Sequence, residues 1–185
     1  EGAFKGELLR RLVLSIWGPD WIDIWRRLGS FELLEALMRQ VEHLQSLNIP
    51  SIQLQYKEHS LPFDTVLEKH VLIDRLRDVL IWKQIPLERL RVEREALDIP
   101  PISDCGDEES ERKESITWLV LSSWKSTWDA WGIPALRLGN LMQVEAQMRM
   151  IDMWRSMKKT ELRAEFRSIK MPFDSSLNTK ELIDR

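Results

Sequence analysis

Residues 61–75, LPFDTVLEKHVLIDR, return near the end of the chain as MPFDSSLNTKELIDR at 171–185. Eight of the fifteen positions are identical in the two stretches. A proline holds the residue before it in extended backbone, and an aspartate or threonine after it can cap a new helix. We therefore interpret the shared motif as a structural helix entry that the chain uses twice. Its residues are Pro62, Phe63 and Asp64 in the first copy, and Pro172, Phe173 and Asp174 in the second.

The first copy of the motif allows a more detailed prediction of the helix that follows. Asp64 or Thr65 can act as the N-cap, and Thr65 with Glu68 has the spacing of a capping box. Beyond them, apolar residues recur every three or four positions, which predicts one buried helix face. The members of that face are Leu67, Val71, Leu72, Leu76, Val79 and Leu80.

Two further blocks repeat in the same order. LVLSIWGPDW at 12–21 matches LVLSSWKSTW at 119–128, an offset of 119 − 12 = 107, against 171 − 61 = 110 for the opening stretch. Between them QVE at 40–42 matches QVE at 143–145, an offset of 143 − 40 = 103. Three ordered matches predict a tandem repeat of 107–110 residues, with small changes in loop length between the copies.

The repeat predicts an all-α protein with two tandem helical units of three to four helices each. The first unit covers residues 5–98, and the second covers 115–185 and is truncated at its C-terminal helix. Between them, residues 99–114 are rich in acidic residues and contain proline and glycine, which is typical of a solvated linker. We expect the chain to be a fragment of a larger protein.

Within each unit the apolar spacing is helical. The first helix places one stripe at Val13, Trp17, Trp21 and Ile24, and the second copy places Val120, Trp124, Trp128 and Trp131 at matching positions. Recurrence at matching positions predicts core residues. Gly18-Pro19 is expected to interrupt only the first copy, because proline removes a helix hydrogen bond. A second helix is predicted at 31–47, ended by Asn48-Ile49-Pro50, and its counterpart at 135–159 is predicted as one longer helix.

Composition limits the function. Among 185 residues, 43% are hydrophobic and 31% are charged, a balance typical of globular proteins. The formal net charge of −3 disfavours nucleic-acid binding. The single cysteine, Cys105, cannot form an internal disulfide, which favours an intracellular location, in cytoplasm or nucleus. No uninterrupted apolar run is long enough for a membrane span.

The sequence contains no arrangement of residues that predicts catalysis. His43, His59, His70 and Cys105 lack the spacing of a metal site, so no metal and no cofactor is expected. The cysteine has acidic neighbours, which raise the pKa of a thiol and weaken it as a nucleophile. No glycine-rich phosphate loop is present. We therefore expect this fragment not to be an enzyme.

Protein binding is the remaining class that the residues favour. Nine tryptophans are present, and those without a counterpart in the other copy are candidates for a partner surface. Methionines on the predicted helix after residue 135 resemble an adaptable docking surface, or they fill gaps in the core. The candidate partner-binding residues are Trp25, Trp118, Met150, Met153 and Trp154. Ser103, Ser110 and Ser115, in the acidic stretch, are weak candidates for phosphorylation.

The sequence therefore predicts a non-catalytic helical scaffold, a protein–protein interaction segment of a larger intracellular protein. Its partner would be another protein or neighbouring repeats of the same chain, and a homo-oligomer is also possible. One alternative is a helical regulatory or linker region of a large multidomain enzyme. A weaker alternative is a nucleic-acid binding module.

Overall fold

The computed structural model describes residue 11 and the ranges 20–100 and 106–169. Within these ranges the chain forms ten helices and no strand, which confirms the all-α prediction. The helices are α1 (Asp20–Leu28), α2 (Phe31–Ser46), α3 (Ile49–Glu58), α4 (Lys69–Gln84), α5 (Leu87–Ala96), α6 (Glu108–Ser123), α7 (Lys125–Ala130), α8 (Ala135–Leu138), α9 (Leu141–Ser156) and α10 (Lys159–Ser168).

Some residues of the sequence-based predictions lie outside the described ranges. They are Val13, Trp17, Gly18, Pro19, Ser103, Cys105, Pro172, Phe173 and Asp174. The predicted truncation of the second repeat at its C-terminal helix falls there as well.

Contacts divide the chain into two compact units. Of the described residues, the first unit holds 11, 20–55, 66–100 and 106–120, and the second holds 56–65 and 121–169. Helices α3 and α6 contribute residues to both units. The predicted division into 5–98, a linker at 99–114 and 115–185 stays a prediction, although residues 108–114 belong to helix α6.

In the first unit α1, α2 and α4 pack against one another. Helix α2 agrees with the predicted bounds to within one residue, and Ser30 caps its start by accepting a hydrogen bond from the backbone N–H of Leu33 at 3.3 Å. Its apolar residues recur every three or four positions, so they share the face that packs on the other helices. The buried residues of α2 are Leu34, Leu37, Met38, Val41 and Leu44.

The start of α6 is held by charged contacts within the first unit. Arg112 donates to the backbone oxygens of Ile85 at 2.7 Å and Trp82 at 3.3 Å, at the C-terminal end of α4. The last carbonyls of a helix lack partners within the helix and carry partial negative charge, so a guanidinium satisfies both needs. Arg91 donates two hydrogen bonds, both of 2.7 Å, to the carboxylate of Glu111.

The second unit has a core rich in aromatic residues. Trp124 and Trp128 are 4% and 0% exposed, which confirms their prediction as core residues. Their ring centroids lie 5.9 Å apart at an interplanar angle of 47°. Helix α8 contacts both α7 and α9 in this unit. The predicted stripe is not fully buried, because Trp131 is only half-buried.

Helix breaks differ from the prediction in the second half of the chain. The predicted helix at 135–159 is divided into α8 and α9, because Gly139 adopts a left-handed φ of 61° and Asn140 caps α9. The side chain of Asn140 accepts a hydrogen bond from the backbone N–H of Met142 at 2.8 Å. A break also separates α6 from α7 at Trp124, within the matching stretch at 119–128. The prediction that a helix break occurs only at Gly18-Pro19 in the first copy was therefore wrong.

Helix α3 was not predicted. Asn48-Ile49-Pro50 does end α2, but the same residues begin the next helix. Asn48 accepts a hydrogen bond from the backbone N–H of Ser51 at 2.9 Å, which is the geometry of an N-cap. Pro50 is compatible with the first turn because no helix hydrogen bond is required of its nitrogen there.

The helix after the Pro62-Phe63-Asp64 motif begins later than predicted. Helix α4 starts at Lys69, and its N-cap is Glu68, whose side chain makes no capping hydrogen bond. The predicted caps Asp64 and Thr65 therefore lie too early in the chain. The buried face of α4 does contain Leu72, Leu76 and Val79, as predicted.

Candidate functional site

Helix α9 separates its side chains into two opposite faces. Val144, Met148, Ile151 and Trp154 are buried in the second unit. They follow one another at intervals of four, three and three residues, so they share one side of the helix. Met150 and Met153, which lie outside this side of the helix, are exposed.

The opposite side of α9 carries exposed methionines. Met142 is 74% exposed, Met150 39% and Met153 44%. Counted from Met142 around a helix of 3.6 residues per turn, Met153 is rotated by about 20° and Met150 by about 80°, so the three lie within one side of the helix. We call these three residues, with exposed Ala146 between them, the methionine stripe. Its eleven-residue separation corresponds to about 16 Å along the helix, at 1.5 Å per residue.

The flank of the methionine stripe has little net charge. Glu145 and Arg149 form an ion pair one helical turn apart along one side of it. The stripe is therefore an apolar and polarizable surface, with charged groups at its edge that neutralise each other. Methionine is flexible and polarizable, which lets such a surface adapt to different apolar partners.

Trp154, predicted to belong to a partner surface, is a core residue. It is 8% exposed, and its ring packs edge-on against Phe166 with centroids 5.3 Å apart. The prediction was wrong because Trp154, although next to Met153 in sequence, is rotated by about 100° from it and lies on the buried side of α9. Met150 and Met153 are brought together on the exposed face.

Trp25 and Trp118 are half-buried residues of the first unit, on α1 and α6. The described contacts do not place them on the methionine stripe, which belongs to the second unit. Partner binding through either tryptophan stays a prediction.

The Pro62-Phe63-Asp64 motif belongs to the aromatic core of the second unit. Phe63 packs edge-on against Tyr56, with ring centroids 5.4 Å apart. Asp64 is only 2% exposed and accepts a hydrogen bond from the indole nitrogen Nε1 of Trp131 at 3.2 Å. The guanidinium of Arg155 lies 4.2 Å from the centroid of the Trp131 ring, a cation–π contact. The motif is thus part of the packing of this unit.

Titratable groups with shifted pKa values lie in the first unit. Burial raises the pKa of Asp78 above its ordinary value of 3.8, although the neighbouring guanidiniums of Arg77 and Arg27 lower it. The pKa of Glu111 is lowered, chiefly by its hydrogen bonds from Arg91. Hydrogen bonds from the backbone and side chain of Ser110 lower the pKa of Asp107, at the start of α6. Burial and hydrogen bonds within the folded first unit are the main causes of these pKa shifts.

Other kinds of site are not apparent in the part of the chain that the structure describes. It contains no group of three or more His, Cys, Asp or Glu side chains that could hold a metal ion. It also contains no helix with the length and apolar character that crossing a membrane requires. Ser110 is exposed, whereas Ser115 is fully buried and accepts a hydrogen bond from Arg94 at 3.2 Å, so a kinase could not reach Ser115 in the folded chain.

Sequence reasoning treated the methionines as one cluster and missed their division into two faces. A helical projection of residues 141–156 separates Met142, Met150 and Met153 from Met148, and this signal was available in the spacing. No spacing pattern in the sequence indicated the hydrogen bond between Asp64 and Trp131. Comparison of the chain with protein-family models, with curated proteins and with solved structures found no match.

Proposed function

We propose that this chain is a non-catalytic helical scaffold, and that the methionine stripe of α9 docks a helix of a protein partner. The observation that carries the proposal is a difference between α9 and α2. The two helices share length, caps and buried positions, yet their outward faces differ in character. We also propose that α2 and α9 belong to two copies of one repeated unit, so that each position of α2 corresponds to one position of α9.

A single offset of 110 relates residues 28–59 to residues 138–169. Helices α2 and α9 are both 16 residues long, and α3 and α10 are both 10 residues long. The first helix of each pair follows a left-handed glycine, Gly29 with φ 71° or Gly139 with φ 61°, and a side-chain N-cap, Ser30 or Asn140. Equal lengths, caps and breaks at one constant offset support two copies of one unit.

Most buried positions of α2 and α3 agree at the same offset, with the exception of Leu37, whose counterpart Gln147 is half-buried. The pairs in which both members are buried are Leu34 and Val144, Met38 and Met148, Val41 and Ile151, Leu44 and Trp154, Ile52 and Leu162, and Tyr56 and Phe166. In this register Gln40 corresponds to Met150 and not to Gln143. The two QVE triplets, at offset 103, therefore do not occupy corresponding positions and do not support the repeat.

The outward faces of the two helices differ. The positions of α2 that correspond to Met142, Met150 and Met153 are Glu32, Gln40 and His43, all exposed. Since the polar residues of α2 occupy these positions in a helix with the same buried pattern, packing of the unit does not require methionine there. An exposed apolar stripe without a packing role is typical of a binding surface.

The shape of the stripe indicates what kind of partner fits. It is one helix face wide and spans about three turns. A partner helix with apolar residues at i, i+4, i+7 and i+11 would match this length and bury the three thioethers. Because the flanking charges are paired, we expect apolar contact to dominate the affinity.

The test is site-specific cross-linking from the centre of the stripe. Ala146 is replaced by p-benzoylphenylalanine, and the matched control carries the same replacement at Ala36, the exposed alanine of α2 at offset 110. Extracts of cells that produce each variant are irradiated, and the adducts are identified by mass spectrometry and remade with purified partner. We expect a discrete protein adduct from position 146 and none from position 36. Equal adducts from both positions, or none from either, would overturn the proposal.

A further inference from the structure

The methionines of the described chain differ sharply in exposure. Those of the stripe are 74%, 39% and 44% exposed at positions 142, 150 and 153, whereas Met148 and Met38 are 2% and 6% exposed. Thioethers that reach solvent are the ones that an oxidant can attack. One helix, α9, therefore carries both an oxidisable set and a protected methionine.

We propose that the methionine stripe is a reversible redox-modification site, at which hydrogen peroxide converts Met142, Met150 and Met153 to sulfoxides and thereby closes the docking surface. The inference rests on the proposed function, because the consequence of oxidation is loss of partner binding.

The chemical step needs only the peroxide and the thioether. The sulfur lone pair attacks one peroxide oxygen, the O–O bond breaks, and a sulfur–oxygen bond forms. The departing hydroxide takes the proton left on the transferred oxygen, which yields water. The sulfur is oxidised by two electrons and the peroxide is reduced by two. Methionine sulfoxide reductases reverse the change at the expense of thiols, which become a disulfide.

Oxidation of the stripe should leave the fold intact. All three methionines are partly or largely exposed, so an oxygen added to each sulfur can be solvated without entering the core. At the corresponding positions α2 carries Glu32, Gln40 and His43, all polar and exposed, in a helix of equal length. The unit therefore tolerates polarity at these positions.

Oxidation of the three methionines should prevent docking of the partner helix. A sulfoxide is polar, and burying it against an apolar helix removes its water without supplying a hydrogen-bond donor. Three sulfoxides over about three helical turns leave no continuous apolar stripe for a partner.

The first measurement follows oxidation residue by residue. The folded protein is treated with hydrogen peroxide, and the gain of one oxygen at each methionine is measured by peptide mass spectrometry. We expect Met142, Met150 and Met153 to react at least about tenfold faster than Met148 and Met38, since access controls the rate. The circular dichroism spectrum and the thermal midpoint should stay unchanged. Equal rates at buried and exposed methionines would overturn the inference.

The second measurement uses the cross-link from position 146. Peroxide treatment should lower the adduct yield at least about tenfold, and methionine sulfoxide reductase with thiol should restore it. The matched control is the triple variant Met142→Leu, Met150→Leu and Met153→Leu, which keeps the apolar surface but cannot form a sulfoxide. Its adduct should persist in peroxide.

Failure of the inference can be told apart from failure of the proposed function. An adduct that survives complete oxidation of the three methionines would overturn the inference alone. Loss of the adduct from the triple leucine variant on peroxide treatment would do the same, since another group would then be responsible. Absence of the adduct before any oxidant is added would overturn the proposed function, and the inference with it.

Discussion

The carboxylate of Glu93 receives both arms of the Arg27 guanidinium, from Nε at 2.8 Å and from Nη2 at 2.7 Å. The same carboxylate also accepts a hydrogen bond from the indole nitrogen Nε1 of Trp82 at 2.8 Å. Three charge-assisted hydrogen bonds thus converge on one residue of α5 and connect it to α1 and α4. The side chains of Arg27 and Glu93 are 32% and 24% exposed, so the pair is partly shielded from solvent.

Replacement of Glu93 by glutamine tests this junction of three helices. An amide can accept a hydrogen bond but carries no charge, so the bidentate pair with Arg27 is lost. We expect the free energy of unfolding to fall by about 1–2 kcal/mol, less than for a fully buried pair because of the partial exposure. Urea denaturation measures the change. The control is Glu95→Gln on an exposed position of the same helix, and an equal effect in both variants would contradict the account.

The raised pKa of Asp78 predicts a specific pH dependence. When folding raises a carboxyl pKa, the folded state holds the proton more tightly than the unfolded state. The resulting stability is fully present below the ordinary value of 3.8 and is lost as pH rises through the folded pKa. The variant Asp78→Asn cannot lose this contribution. Its thermal midpoint relative to the unmodified protein should therefore be higher at pH 7 than at pH values below 3.8. If the midpoint of Asp78→Asn relative to the unmodified protein decreased from the lower pH to pH 7, that result would contradict the raised pKa of Asp78.

The buried carboxylate of Asp64 predicts a second stability effect. Asp64→Ala leaves the indole N–H of Trp131 without this acceptor and opens space beside the aromatic core. We expect a loss of about 1–2 kcal/mol in the free energy of unfolding, below the full range for an orphaned buried polar group because Trp131 is only half-buried. The control is Asp129→Ala, which removes an ion pair with Lys125 whose side chains are 54% and 55% exposed. A smaller effect at Asp64 than at Asp129 would show that the hydrogen bond to Trp131 does not stabilise the unit.

The methionines of α2 and α9 give a prediction about buried and exposed helix faces. Met38→Ala and Met148→Ala each remove a buried side chain, so each should lower the free energy of unfolding by about 2–5 kcal/mol. Met142→Ala, on the exposed face, should change it by less than about 0.5 kcal/mol. Chemical denaturation of the three variants provides the measurement. A large effect of Met142→Ala, or a negligible effect of Met148→Ala, would contradict the assignment of Met148 to the buried face and Met142 to the exposed face of α9.

Local signals in the sequence were sufficient for some elements. Helix α2 was predicted nearly to the residue because helical apolar spacing continues up to Asn48-Ile49-Pro50, which ends it. The predicted helix at 135–159 failed because the Gly139-Asn140 pair, a stop followed by a cap, was overlooked. Both residues favour such positions for local steric and hydrogen-bonding reasons, so this break could have been predicted.

Long-range contacts could not be predicted in the same way. Asp64 lies two residues after Pro62, and from these neighbours alone it was predicted to be a helix N-cap. Its indole partner, Trp131, is 67 residues away in sequence, and no local pattern specifies that hydrogen bond. The methionine stripe lies between these cases, because spacing alone separates its residues from Met148, but burial had to show which face is exposed.

The most direct test of the account removes the apolar character of the stripe and keeps the helix. The triple variant Met142→Gln, Met150→Gln and Met153→Gln is combined with the cross-linker at position 146. Our account predicts a loss of at least about tenfold in adduct yield, with a change of less than about 0.5 kcal/mol in the free energy of unfolding. An unchanged yield of the adduct in the folded triple variant would contradict the claim that these three methionines form the docking surface.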